Sequence, residues 1–594
     1  MLRRLKYILP FVIVLSGYSS FSQQRDTSLT QEVEVIKSFK PTISDANKIN
    51  EMPKIEEQEQ QKPTFDYSIY SQPILNTFSV NTLKAASISE TPRKETGYGL
   101  VRAGFGNYNK PYGELFFNNL NSKKSIFGLH AMHMSSHGKI NLEGGDRVEA
   151  PFSKNEAELY LNHFFRKSIL SVNVDFNHDG FNYYGYPKDL IPEPINQENQ
   201  TVNYQGKKQA FTRAGINISL SNPSAEMDDP DVSFKLLYDY FKTKTEQQEH
   251  FGKFMLNVQK PFDKGTGILE AGATFSQAQE IFNRSMDTIG NRQQFWLEAN
   301  PSYYIGGKKA NAKLGIKTWF VLDKNMDATA KIAPNIHLNY IPVENIIRLY
   351  AGITGDYVNN HYSKIAYENP FVDPMHDVKN SFEMFRFYGG FDGKFSKKTN
   401  FRISADYSMI NDQPLYYLKQ YTLPDPMINP NPVIVDNDFK VFYDNLKLFK
   451  LNVEILHRSS DKLDLSVSGN YYGYNLDEQE QAWNLPDWDA NLSVDYKITE
   501  QLSVSADVFL IGARKALILE DPNFYQLFVA PKPLNYKSYN LDTAFDFNVR
   551  GNYSITQKFS VFAQLNNFGF QKYERWFGYP VQSFNFLAGV SYAF

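Results

Sequence analysis

The chain has 594 residues, a formal net charge of −3, 15% aromatic residues and no cysteine. The near-neutral balance leaves no basic footprint for nucleic acid, and the missing cysteine removes a lipoprotein attachment site, a disulfide scaffold and thiolate metal sites together. Rings are abundant (38 Tyr and 47 Phe) while mean hydropathy is −0.46, and beyond the N-terminal apolar run no stretch is long and apolar enough for a membrane helix, so the apolar residues are dispersed, as alternating strands disperse them.

Taken in chain order, the opening "MLRRLKYILPFVIVLSGYSSFSQQ" reads as a secretory signal over residues 1–22. Arg3, Arg4 and Lys6 form a positive start, Leu9 to Leu15 a short apolar core, and Ser20-Phe21-Ser22 a cleavage site before Gln23. Residues 23–95 change character. "EEQEQQKP" is charged and Gln-rich, and Pro41, Pro53, Pro63, Pro73 and Pro92 recur without a sustained apolar period. This composition predicts a mostly extended arm. Within it, "QEVEVIKSF" (31–39) places Val33, Val35 and Phe39 on one side of an extended peptide, a form that adds readily to the edge of a partner's sheet.

From residue 96 to 594 one grammar repeats: a stretch of roughly nine to fifteen residues alternating apolar with polar, then a turn or loop. In "LSVSADVFL", Leu502, Val504, Ala506, Val508 and Leu510 share one face, and Ser503, Ser505 and Asp507 the other. Soluble sandwiches alternate too, but their strands average about five or six residues, whereas tilted membrane-spanning strands need about nine to eleven. The connections also alternate in size. Short ones occur at 121–124, 166–168, 306–309, 396–399 and 498–501; long ones at 136–152, 180–203, 359–381, 412–436 and 513–540. Short turns on one side and long loops on the other are the pattern of outer-membrane barrels. The expected fold is therefore all-β, a transmembrane antiparallel β-barrel of about 22 strands preceded by the extended arm. An even strand number puts both ends of the barrel at the periplasmic side.

Few motifs carry chemistry. "HAMHMSSH" holds His130, His133 and His137; along a strand the first two point to opposite faces, and His133 and His137 lie about 13 Å apart, too far to share a metal. No nucleophile elbow, P-loop, zinc helix or calcium loop is present, so neither an enzyme, a metal site nor a cofactor is expected. Asp507, Asp542, Asp546 and Arg550 read as hydrated lining of a barrel wall. The long loops carry ring clusters, Tyr183, Tyr184 and Tyr186 in "FNYYGYP", and Tyr416, Tyr417 and Tyr421 in "PLYYLKQY". Such rings offer stacking faces for glycans or peptides; packing within the loops, or an aromatic girdle at the membrane boundary, is the expected role.

The C-terminal "SITQKFSVFAQLNNFGFQKYERWFGYPVQSFNFLAGVSYAF" (554–594) contains an Asn-rich stretch (Gln564 to Asn567), a Tyr-Glu pair in Lys572 to Glu574, a Gly-Tyr-Pro loop (Gly578 to Pro580) and a last strand ending on Phe594. It resembles the end of TonB-dependent outer-membrane receptors. The resemblance implies uptake of a solute bound by long outer loops, residence in the bacterial outer membrane among its lipids, and recognition of Tyr592 and Phe594 by the barrel-assembly machinery. It also gives Glu32, Val33, Glu34, Val35 and Ile36 the position of the short segment by which such receptors engage TonB, or another periplasmic protein. Receptors of that family carry a plug of well over a hundred residues before the barrel, and residues 23–95 are too few for one. The lumen must then be filled by the arm, by loops folding inward or by a second protein; a scaffold in an outer-membrane complex and a passive porin are the alternatives.

Overall fold

The structure, a computed structural model, describes residues 97–594 apart from 121, 123, 144, 186–207, 223–229, 283–287, 324–327, 375–377, 423–432 and 522–534. The signal, the arm, the segment Glu32 to Ile36 and Tyr186 lie outside the described residues, as does the side chain of Tyr421.

Twenty-two antiparallel strands close into one barrel. The first, Gly99–Gly106, pairs with Lys110–Asn118 on one side and with the last, Asn585–Ala593, on the other, in a register running from Leu100 opposite Ala593 to Gly106 opposite Leu587. Beyond that register the Tyr98 N–H donates to the Phe594 carbonyl at 2.7 Å and the Phe594 N–H to the Gly99 carbonyl at 3.0 Å. Closure leaves no edge of the barrel wall unpaired, the condition for placing backbone N–H and C=O groups in hydrocarbon.

The two ends of the barrel differ. At the end where the first strand begins and the last one finishes, connections are tight, such as 263–264, 397–398 and 461–462. The opposite end carries the long segments 137–151, 183–207, 359–380, 512–543 and 567–584. These are called the turn end and the loop end below.

Burial is inverted relative to a soluble domain. On the last strand Phe586, Val590 and Tyr592 are 43%, 44% and 48% exposed, while Asn585 and Ser591 are buried. On Leu502–Ile511 the buried side chains include Ser505 and Asp507, with Val504 and Val508 outward. A continuous belt of exposed rings and aliphatics with polar residues inside is what a lipid-facing wall requires. The inner charges are paired: Arg102 with Glu114 at 3.5 Å, Arg550 with Asp507 at 2.7 Å, Arg348 with Asp392 at 2.8 Å. Lys253 on Gln248–Phe262 meets Glu298 on Thr288–Gly306 at 2.8 Å, across the intervening strand Gly265–Phe282. Glu298 crosses directly over Gly272, where a Cβ would lie 2.4 Å from its Oε1. Leu587, the one bulky residue on the inner face of the last strand, packs with Tyr112, Met134 and Phe562.

Three expectations need correcting. Residues 412–436 and 513–540 are not simple loops. Strands Thr399–Thr422 and Val433–Ser460 run on past the wall as a long hairpin, and Arg514–Asp521 with Asn535–Leu541 forms a second hairpin that joins its edge, Leu517 to Asp521 pairing parallel to Tyr417 to Tyr421. Extended pairing is favourable here because each strand covers the other's edge. His137 lies beyond the end of strand Ser125–Ser136, and Asp542 lies before strand Ala544–Ser554 begins.

Candidate functional site: a cap of interlocked loops

At the loop end the long segments other than 137–151 converge, with the long hairpin, on a common apolar core. Its centre is helix α1 (Tyr362–Glu368), whose N-cap residue His361 supplies no side-chain cap. The carboxylate of Glu249, from the barrel strand, accepts instead from the backbone N–H groups of Tyr362 at 2.5 Å and Ser363 at 2.9 Å. A buried carboxylate at a helix start satisfies orphan donors and complements the helix dipole. Past the helix the chain docks on the long hairpin: the Phe439 N–H donates to the Phe371 carbonyl and the Asp373 N–H to the Phe439 carbonyl, both at 2.8 Å. Lys440 pairs with Asp438 at 2.9 Å and with Asp373.

The segment 567–584 locks the arrangement. Tyr579 stacks on Phe371 with ring centroids 3.7 Å apart, and Trp576 meets Tyr416 edge-on at 5.1 Å. Arg514 donates to the backbone carbonyls of Arg575 at 2.6 Å and Glu574 at 2.7 Å. The Tyr573 hydroxyl donates to Asp546 at 2.8 Å. Tyr362, Tyr416, Phe439 and Tyr579 are each no more than 2% exposed. Full burial of a large apolar side chain contributes about 1.5–3 kcal/mol, so these four rings together favour docking of the loops by roughly 6–12 kcal/mol, offset in part by the entropy of ordering them.

Electrostatics on the cap follow from burial. Desolvation pushes the guanidinium of Arg575 and that of Arg514 down to about 10. It raises the Glu368 carboxyl above its ordinary range, despite nearby Lys364 and Arg575, and lowers the His361 imidazole.

The ring residues singled out in the sequence are mostly brought together here. The Tyr183 hydroxyl donates to the Val372 carbonyl at 3.3 Å, and that of Tyr184 to the Pro580 carbonyl at 2.8 Å, its ring edge-on to Tyr579 at 5.2 Å. Tyr416 is buried in the same core, and Tyr417 packs beside it on Phe442. Their faces are covered by protein. Tyr592 and Phe594 stand apart, exposed on the outer wall at the seam. Sequence reasoning missed Tyr362, Phe371, Phe439, Arg514 and Trp576; the one usable signal was the ring density of loops that water alone would not favour. His130 stacks on Phe116 and lies 3.0 Å from Glu114, while His133 lies 2.7 Å from Asn155. Among the described residues no group of three or more His, Cys, Asp or Glu side chains is arranged to hold a metal ion.

A closed barrel of this size with long loops at one end is the fold of TonB-dependent outer-membrane receptors. The ferripyoverdine receptor of the Pseudomonas aeruginosa outer membrane superposes with a TM-score of 0.59 at 12% identity, covering 84% of this chain and 72% of that one. The ferric-catecholate import receptor Fiu of E. coli K12 gives 0.57 at 10% identity, covering 85% and 83%. The FrpB iron transporter of Neisseria meningitidis gives 0.59 at 10% identity, covering 84% and 82%. No protein-family model and no curated protein sequence matches the chain.

Proposed function

We propose that the protein is an outer-membrane receptor and transporter whose outer mouth is gated by the loop cap. The turn end faces the periplasm, the loop end the exterior, and the solute is bound at the loops before the cap opens. The observation that carries this reading is the apolar core shared by Tyr184, by Tyr362, Ile365 and Val372, by Tyr416, Leu418 and Phe439, by Ala516, Ile518 and Leu541, and by Trp576, Phe577 and Tyr579. A passive porin has no use for an apolar seal built from so many loops, whereas a gate must be closed by contacts that can be broken together. The signal over residues 1–22, the TonB-box-like segment Glu32 to Ile36 and the assembly role of Tyr592 and Phe594 complete the reading. The arm couples opening to a periplasmic energy source of the TonB type.

Planar-bilayer recording tests the gate. The absence of native cysteine makes a clean lock available: Val372 and Phe439 are direct backbone partners, so Val372→Cys with Phe439→Cys should form a disulfide across the seal. The native protein should be closed at rest and open in rare events. The oxidised pair should abolish those events, and reduction should restore them. A large, steady conductance in the native protein, unaffected by the lock, contradicts gating by this cap.

A further inference from the structure

The root of the gating loop does not lie flush against the inner wall. Where Asn359 to His361 leave the strand Ile347–Val358, a partly open cleft of about 20 Å³ remains between them and Gln247, Glu249 and Gln294. Several polar atoms of its lining are buried without a hydrogen-bond partner: Oε1 of Gln247, both Oδ1 and Nδ2 of Asn359, and Nδ1 of His361. Gln247 is only 4% exposed. Buried polar groups are almost always paired, so a group of orphans lining one cleft calls for an explanation.

The charged neighbours are already engaged. Glu249 accepts from the start of α1, Arg292 lies 3.5 Å from Asp323, and Gln294 donates to Asp323 while accepting from Asn380. Burial keeps His361 neutral near pH 7. The unmet demand is therefore for a neutral group that donates and accepts at once, since Gln247 Oε1 and Asn359 Oδ1 need a donor and Asn359 Nδ2 needs an acceptor. A hydroxyl does both. The enclosed volume suits one hydroxyl oxygen, the size of a single water, with the rest of a larger molecule lying toward the open side.

We propose that this cleft is a recognition subsite for a neutral polyhydroxyl solute of the saccharide type, one hydroxyl of which bridges the wall at Gln247 to the gating loop at Asn359 and His361. The inference rests on the receptor reading only in that the solute arrives from the loop end. Ligand held there touches both the fixed wall and the moving segment, so its occupancy is read by the gate.

The test uses the full-length protein in a detergent without a sugar headgroup. Maltotriose is titrated against intrinsic tryptophan fluorescence, with calorimetry as a second readout and tri-galacturonate as the charged comparison. Trp296 follows Gln294 on the same strand face and reports on the site. Saturable maltotriose binding is expected, weakened at least tenfold in Gln247→Leu and in Asn359→Leu, both retaining the boiling-dependent gel shift of a folded barrel. Absence of saturable maltotriose binding up to about 100 mM, native-level binding by both variants, or preference for tri-galacturonate overturns the proposal. So does a soaked structure holding only an ordered water in the cleft. Binding that depends on Gln247 in a barrel that proves permanently open would sink the gate and leave the cleft standing. A closed barrel that binds no maltotriose would do the reverse.

Discussion

Replacing Tyr362 by Ala perturbs the proposed gate at its most enclosed point. The ring is fully buried, 6.0 Å from Phe241 and 6.4 Å from Phe211 between ring centroids, and its hydroxyl donates to the Val372 carbonyl at 3.3 Å. Truncating a buried large aromatic costs about 3–5 kcal/mol when the site cannot collapse. The surrounding wall is fixed by strand pairing, so little collapse is available and the full cost falls on loop docking. At about 1.4 kcal/mol per tenfold, a loss of about 3 kcal/mol raises the ratio of open to closed caps by roughly 100-fold. The strands themselves are untouched, so the gel shift on boiling should stay as in the native protein. Open probability in planar bilayers measures the effect, and protease cleavage within 359–380 gives an independent reading of loop release. The reasoning fails if Tyr362→Ala leaves both open probability and protease resistance at native levels while folding normally. Tyr362→Phe keeps the ring and gives up the hydroxyl with its long bond to Val372, so its effect should be the smaller, within about tenfold.

Other consequences can be checked separately. Arg514→Met removes two donors from buried carbonyls; hydrogen bonds to charged groups contribute about 1.5–3 kcal/mol each, so segment 567–584 should become cleavable by trypsin in the folded barrel. Burial holds His361 below its ordinary value of 6.5, with Glu249 and Asp239 pulling it up and Lys364 and Arg213 pushing it down. The closed cap then binds fewer protons at this site than the open one, and closure weakens as pH falls below about 6.5. Glu368, raised by burial, works in the opposite sense and strengthens closure on acidification. Open probability between pH 8 and 4.5 should therefore rise more steeply in Glu368→Gln than in the native protein, and fall toward the acid end in His361→Gln. Deleting residues 31–39 should stop energised solute uptake while leaving barrel assembly intact, as scored by the gel shift. Phe594→Ser should lower the amount of assembled barrel in outer-membrane fractions several-fold, without altering the gating of molecules that do assemble.

The wall was legible because membrane strands impose a local rule. Alternation at 502–510 and 584–594 needs no knowledge of the rest of the chain, and the inner and outer faces follow from it. Connection lengths gave the two ends for the same reason. The cap obeys no such rule. Tyr184 meets Pro580 across most of the barrel sequence, and Glu249 caps a helix that begins at Tyr362. Nothing in "FNYYGYP" distinguishes a ring that stacks on a ligand from one that packs under Tyr579. The parallel join of Leu517 to Asp521 with Tyr417 to Tyr421 was equally hidden, because it pairs two segments each of which reads alone as part of a long loop.

Trp576 and Tyr579 enter the cap from the connection just before the last strand. The segment that contributes them is tied on one side to the strand that zips the wall shut, Asn585–Ala593 against Gly99–Gly106. Seam and loop core therefore share one short stretch of chain. A substitution that loosens the pairing of the first and last strands should loosen the packing of Trp576 and Tyr579 with it, so the seam and the core cannot be tuned independently.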